Sequence, residues 1–282
     1  MYKLTVENQR KEKLILTQNP NYVVKSIDGL TPPTATINGA IVAVNDGAIF
    51  NSARVETRNI ILSISPLFPV EENRNTLYRF FSIKRKIKLY YETESRKVYV
   101  EGYVDSVDGS LFEMNQTLTI SVTCMNPYFR DQIETAKDTS STIDLFEFPF
   151  SIAFAGIEFS QISKLNTIDV QNSGDVDTGM IIDLVAGGTV TNPKIYNTET
   201  AEMFGINTTM MAGDKITIST IKNEKSVTLT RDGVESNIIN QIVKGSSWLQ
   251  LTMGDNVFYY ECDAGADLLE VRFRYCNQYS GV

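Results

Sequence analysis

The chain has 282 residues, 42% of them apolar, a net charge of −8 and no histidine. Such a composition describes a globular chain with room for two ordinary cores. It excludes Ser-His-Asp and Cys-His nucleophilic catalysis and most zinc sites. The three cysteines, Cys124, Cys262 and Cys276, form no metal or disulfide spacing and read as small buried residues. The apolar runs fall far short of the ~20 residues that cross a bilayer. The N-terminal stretch MYKLTVENQRKEKL has no signal-peptide core. Synthesis in a cytosol, without membrane insertion, is therefore expected.

In chain order, Lys3–Val6 and Leu14–Leu16 predict a strand pair, and Tyr22–Ile27 a further strand that stops at Asp28-Gly29. Pro32 and Pro33 make the next segment an extended connector. Ala35–Ile37 and Ile41–Val44 read as two strands broken by Asn38-Gly39, after which Asp46-Gly47 turns into Ala48–Ala53. Asn59–Ile64 is strongly β-prone. A lone helix follows. Pro69 suits its first turn, and Glu71 and Glu72 lie at the positive end of its dipole. Its apolar face is read as Val70, Leu77, Tyr78 and Phe81, with Arg74 and Arg79 on the wetter side.

A β-hairpin comes directly after. Alternation puts Ile87, Leu89 and Tyr91 on one face of its first strand and Lys86, Lys88 and Tyr90 on the other. On the return strand Val98, Val100 and Val104 oppose Tyr99, Glu101 and Tyr103, with Glu94-Ser95-Arg96 near the tip. Asp108-Gly109 predicts another turn, Thr117–Val122 a strand, and Asn126–Phe129 the end of the first half. Lys137–Thr142 (KDTSST) reads as a linker or loop. Later strands are expected at 168–170, 180–184, 194–196, 215–220, 227–230, 248–251, 257–260 and 269–275. The recurrent turn signals suit an antiparallel sandwich.

Charge divides the chain in the same place. Residues 1–130 carry 16 Lys+Arg against 13 Asp+Glu (+3), and residues 131–282 carry 10 against 21 (−11). This supports two domains, 1–135 and 136–282, with different partners. The first half is too weakly basic for a dedicated nucleic-acid binder.

Lys86, Lys88, Tyr90, Tyr99, Glu101 and Tyr103 share the polar face of the hairpin. They form the candidate oligomer interface, weighed against a merely solvated face. Asp175, Asp177, Asp214, Asp255, Asp263 and Asp267 lack calcium-loop spacing and read as turn residues. Trp248, Tyr259 and Tyr260 are weighed as a sugar-stacking platform against a sandwich core. No phosphate-loop, dinucleotide or zinc-helix motif is present, and no cofactor or catalytic residue is expected.

A series of short motifs then runs in order. The first half has Ile27–Pro33, Asp46–Ser52, Arg58-Asn59-Ile60, Asn73-Arg74, Leu77–Phe80, Tyr99–Val104 and Cys124–Phe129. The second has Asn172–Asp175, Asn192–Asn197, Gly213–Ile218, Ser247–Leu249, Gly254–Asn256 and Tyr275–Val282. Each is weak alone, but their order resembles the distal tail protein family of long-tailed bacteriophages across nearly the whole chain.

The resemblance implies a mainly β fold. An N-terminal β-sandwich or split-barrel domain with one helix and a β-hairpin would precede a galectin-like C-terminal β-sandwich. It also implies a hexameric ring at the virion tail tip, made in the bacterial host cytoplasm. The ring would join the tail tube protein to a tail-tip, lysin-type protein and to receptor-binding proteins, with DNA passing through its lumen unrecognised. Two rival readings remain: a two-domain carbohydrate-binding adhesin, motivated by Trp248 and the acidic second half, and a two-carboxylate glycosidase.

Overall fold

The computed structural model describes residues 2–41, 46–138, 140–144, 160–164 and 167–282. The chain divides into two compact units. Unit 1 comprises Met1–Gln132 together with Gln278–Val282, and unit 2 comprises Ile133–Asn277. Both are mainly β. The last five residues, assigned to the second domain on sequence grounds, fold with the first.

In unit 1 the elements are β1 (Lys3–Glu7), β2 (Lys13–Ile15), β3 (Tyr22–Asp28), β4 (Ala35–Ile41), β5 (Ala48–Val55), β6 (Arg58–Pro66), α1 (Val70–Phe80), β7 (Lys86–Glu92), β8 (Lys97–Gly109), β9 (Leu118–Cys124) and β10 (Phe129–Asp131). The main sheet runs β2-β1-β7-β8-β9-β6-β3, and its pairings are antiparallel. The long strand β8 organises it. One edge pairs with β7 over residues 97–103. The other is shared between β10, at Val98 and Tyr99, and β9, from Tyr103 onward.

Alternation decides what this sheet buries. Ile60, Leu62 and Ile64 of β6, Ile87 and Leu89 of β7, and Ile120 and Val122 of β9 enter one core, joined by Leu77, Phe80 and Phe81. The helix therefore buries Asn73, Leu77 and Phe80, whereas Tyr78 is exposed. The apolar stripe is narrower than Leu77 and Tyr78 together suggest, because neighbours one residue apart diverge by ~100° around a helix. Pro69 occupies the N-cap position just before the first turn. Asn73 is buried because its side chain donates to the Leu67 carbonyl at 2.9 Å.

Two further expectations change. Asn38-Gly39 stays within a continuous β4, opposite a bulge at Asn51 of β5, since a bulge absorbs one extra residue without ending the ladder. Val42–Val44, the rest of that expected strand, lie outside the described residues. Asp108-Gly109 does not turn, because β8 stays paired to β9 through Gly109. The ribbon β4–β5 is exposed along both strands, because it pairs only with itself.

In unit 2 the elements are β11 (Thr135–Asp138), β12 (Ser140–Asp144), β13 (Ser160–Lys164), β14 (Thr167–Asn172), β15 (Met180–Ala186), β16 (Val190–Thr191), β17 (Lys194–Asn197), β18 (Met203–Gly205), β19 (Thr209–Met210), β20 (Lys215–Ser219), β21 (Ser226–Arg231), β22 (Val234–Asn237), β23 (Gly254–Glu261) and β24 (Leu269–Tyr275). A last short strand, β25 (Gln278–Tyr279), pairs back onto β10 in unit 1. A six-stranded sheet, β11-β24-β15-β20-β21-β22, and a four-stranded sheet, β14-β23-β17-β18, contribute to one core. Phe258 of one sheet stacks on Phe273 of the other with ring centres 4.9 Å apart, the arrangement of a β-sandwich.

The expected linker at 137–142 is strand instead, in β11 and β12, with Thr139 outside the described residues. Its polar side chains hid a ladder whose bonds come from the backbone: β11 pairs with β24 over Thr135–Asp138. Residues 248–251 form no ladder and make one bridge, Thr178 to Leu251. Leu249 and Leu251 are nonetheless fully buried, which explains why the segment reads as a strand.

The loops of unit 1 are gathered on a buried arginine. Arg58 is 2% exposed. Its Nε donates to the Pro127 carbonyl at 2.6 Å, Nη1 donates to the Thr31 carbonyl at 2.7 Å and to that of Gly29, and Nη2 donates to that of Ser280. The guanidinium lies 4.5 Å from the Phe129 ring centre. The tail is fixed further by the Val282 amide, which donates to the Leu30 carbonyl at 3.1 Å, and by Arg96, which donates to Gly281 at 2.9 Å. Gly29 has φ +86°, and a side chain there would strike the Asn59 backbone.

Arg58→Leu should strand these carbonyls at roughly 1–3 kcal/mol each, and Arg58→Lys, with one nitrogen in place of a fork, should rescue little. In urea titrations followed by circular dichroism we expect both variants, and a chain ending at residue 277, to lose at least ~3 kcal/mol from unit 1. An unchanged midpoint would refute the role given to Arg58.

Candidate functional site

The hairpin face singled out from sequence is assembled as expected. Lys86 lies opposite Tyr103, Lys88 opposite Glu101, and Tyr90 opposite Tyr99. All six side chains thus share one face of β7–β8, the other face being given to Ile87, Leu89, Val98, Val100 and Val104. Glu101 is the centre of the face. Its carboxylate meets Lys86 Nζ at 2.6 Å and Lys88 Nζ at 3.1 Å. Burial pushes the Glu101 carboxyl up, but the two lysine hydrogen bonds and charges outweigh it and hold the carboxyl below the usual range.

The tyrosines extend this network across the sheet. Tyr90 and Tyr99 have ring centres 5.9 Å apart, and Lys88 Nζ lies 4.9 Å from the Tyr99 ring centre. The Tyr90 hydroxyl donates to Glu7 of β1 at 3.0 Å. Burial first, and then that carboxylate, push the Tyr90 hydroxyl up to about 12. Lys13 of β2 completes the chain, 3.4 Å from Glu7 and 4.6 Å from the Tyr90 ring centre. Tyr103, at 42% exposure, is the most open of the six. The face combines rigid aromatic area with charges held in ion pairs.

The weighed sugar platform is not brought together. Tyr260 is buried in the sandwich core, while Tyr259 points to the other face beside Tyr196, ring centres 6.3 Å apart. Trp248 packs on Phe204 at 5.2 Å, and Lys225 Nζ covers its ring at 5.2 Å. Several aspartates act in turns and ion pairs. Asp214 pairs with Arg231 and accepts from the Met211 amide at 2.8 Å, and Asp263 accepts from Asn192 at 2.8 Å. Among the described residues, no group of three His, Cys, Asp or Glu side chains is placed to hold a metal. Within that same set, no helix is long and apolar enough to cross a membrane.

Two polar centres escaped the sequence reading. Arg58 is one, since its acceptors are carbonyls, which leave no pattern. The other is Asp183, almost wholly buried, which accepts from Thr217 and Arg274 at 2.8 Å each and pairs with Lys215 at 3.1 Å. A single aspartate inside the apolar run MIIDLVA is the one signal that marks it.

Residues 173–279 match the family model described as siphovirus-type tail component, C-terminal domain. No curated protein sequence matches the chain significantly. Among solved structures the chain is similar to the Dit protein of phage SPP1, described as a paradigm of the hub adsorption apparatus in phages infecting Gram-positive bacteria. The TM-score is 0.69 at 11% identity, over 98% of each chain. It is also similar to a chain of the phage P2 baseplate in its activated conformation with Ca, with a TM-score of 0.55 at 12% identity over 100% of each chain. The strontium form of the phage p2 baseplate gives 0.53 at 11% identity, again over 100% of each chain. The resemblance read from the sequence therefore holds in sequence for most of unit 2 and in fold for the length of the chain.

The Glu101 centre makes a pH prediction. Its folded carboxyl is depressed, so its stabilising contribution is complete above the unfolded value of ~4.3 and disappears as pH falls through the folded value. Glu101→Gln should cost ~0.5–1 kcal/mol at neutral pH. Denaturation of both proteins at a series of pH values should show that gap closing below about pH 4. A gap that persists at the acid end would contradict the pairing.

Proposed function

We propose that the protein is a non-enzymatic structural hub of a bacteriophage tail tip or baseplate. In this reading it self-assembles into a hexameric ring that joins the tail tube to the tail-tip apparatus and leaves a passage for DNA. One observation carries the reading: both units, in order, share their fold with the Dit hub protein over 98% of each chain. The match of residues 173–279 to a tail-component family supports it from sequence.

A ring requires two different patches that meet head to tail. Unit 1 offers the surfaces. The tyrosine-rich face of β7–β8 is proposed as one side of the contact, through Lys86, Lys88, Tyr90, Tyr99, Glu101 and Tyr103. The ribbon β4–β5 carries the large exposed apolar side chains Ile37, Ile49 and Phe50, a pattern associated with protein interfaces. The two-sheet sandwich of unit 2 is compatible with the galectin-like description, and it is read as the outward module to which further tail components attach.

Light scattering on the purified protein, alone and with its tail-tube and tail-tip partners, should give a mass near six times the 31.6 kDa of one chain. A monomer under every such condition would contradict the proposal. Tyr103→Glu should weaken assembly about tenfold or more while leaving the melting temperature unchanged, because Tyr103 is already exposed in the single chain. Assembly equal to wild type would remove this face from the contact.

A further inference from the structure

Unit 1 contains a cleft of about 330 Å³ between the turn after β1 and the C-terminal end of α1. Arg10, Arg79 and Arg85 all line it. Among the described residues none of the three forms an ion pair. Arg85 Nη1 donates weakly to Gln9 Oε1 at 3.5 Å, and Arg79 lies 5.6 Å from the Phe80 ring centre. The one carboxylate in the lining, Glu12, accepts from Asn8 Nδ2 at 2.7 Å. Three guanidiniums against one carboxylate leave an unmatched positive cleft whose forks suit further carboxylates.

The opposite end of the same helix has the complementary surplus. Glu71 and Glu72 stand exposed in the first turn. Positions 75 and 76, one helical turn on, are Asn and Thr. Arg74, three residues after Glu71, donates instead to Gln116 Oε1 at 2.8 Å. Glu71 and Arg79 are eight residues apart, roughly 12 Å along the axis at ~1.5 Å per residue. Helical side chains pair only across one turn, so the chain does not join its own two ends.

We propose that the Arg10–Arg79–Arg85 cleft receives the Glu71 and Glu72 carboxylates of a second copy of this chain. The inference rests on the self-assembling reading above and gives it a specific head-to-tail contact: the acidic end of one helix against the basic end of the next. Repeated, such a heterologous contact is the kind from which a ring is built when its rotation closes. A nucleic acid fits the cleft less well. Unit 1 carries 16 Lys+Arg against 14 Asp+Glu, a net of +2, and Glu12 sits in the lining; phosphate binding calls for a stronger basic footprint.

The test uses the full chain in two reversed forms, Arg79→Glu with Arg85→Glu, and Glu71→Arg with Glu72→Arg. All four positions are exposed, so circular dichroism should show both forms folded with wild-type melting. Under the conditions in which wild type assembles, each form alone should need at least about tenfold more protein to assemble. Mixed one to one they should assemble again, because each supplies the complement that the other lacks. Unchanged assembly of either single form would overturn the proposal. So would a failure of the mixture to recover, which would assign the cleft to another acidic occupant. Either result leaves the hub reading standing if wild type forms the ring, whereas a wild type that never associates removes both.

Discussion

Unit 1 depends on a cation without a carboxylate. Arg58 is buried, and its charge is balanced by backbone carbonyls at 29, 31, 127 and 280 rather than by an acid. Burial lowers the Arg58 pKa, which states in another form that the fold bears the cost of desolvating this group. The carbonyl dipoles and the Phe129 ring offset that cost. They also explain why the arrangement is needed. The connector containing Pro32 and Pro33 lies outside the strand ladders, so its carbonyls require hydrogen-bond donors from elsewhere. One five-donor side chain serves segments that are far apart in sequence.

That constraint shapes the chain's organisation. Because Ser280 is one of the acceptors, the residues after unit 2 belong to unit 1. Unit 2 is thus an insertion, in sequence, between β10 and β25. It keeps its own core, and its buried charge, Asp183, is handled in the ordinary way by Arg274, Lys215 and Thr217. The division of labour follows the charge. The near-neutral unit carries the tyrosine face and the arginine cleft, the two surfaces proposed to meet other protein chains. The acidic unit is a sandwich whose described aromatic residues are spent mainly on packing.

What was legible in the sequence was whatever alternates or repeats. Ile87, Leu89, Val98 and Val100 announced the hairpin and its inward face, and their neighbours Lys86, Lys88, Tyr99 and Glu101 announced the outward one. The helix was legible from Pro69, Glu71 and Leu77, although Tyr78 was placed on the wrong side of a narrow stripe. Segments held by backbone bonds alone were opaque. Lys137 and Asp138 pair in a sheet despite polar side chains, and Leu249 and Leu251 are buried without joining one. The arginine cleft was equally hidden, since Arg10 and Arg85 are 75 positions apart in the chain and meet only through the pairing of β1 with β7. The tail's destination had no signal, because Arg58 contacts it through carbonyls that every residue possesses.

Hydrogen exchange on the intact protein tests the stitched architecture most directly. Chain ends normally exchange early, by local fraying. Here the Val282 amide, bonded to the Leu30 carbonyl, and the amides of Gln278 and Tyr279 should instead be protected to the same free energy as the β6 core around Leu62. Arg58→Lys should release both sets together. Free exchange of the tail while β6 stays protected, or exchange of the tail in step with β24 of unit 2, would contradict the account.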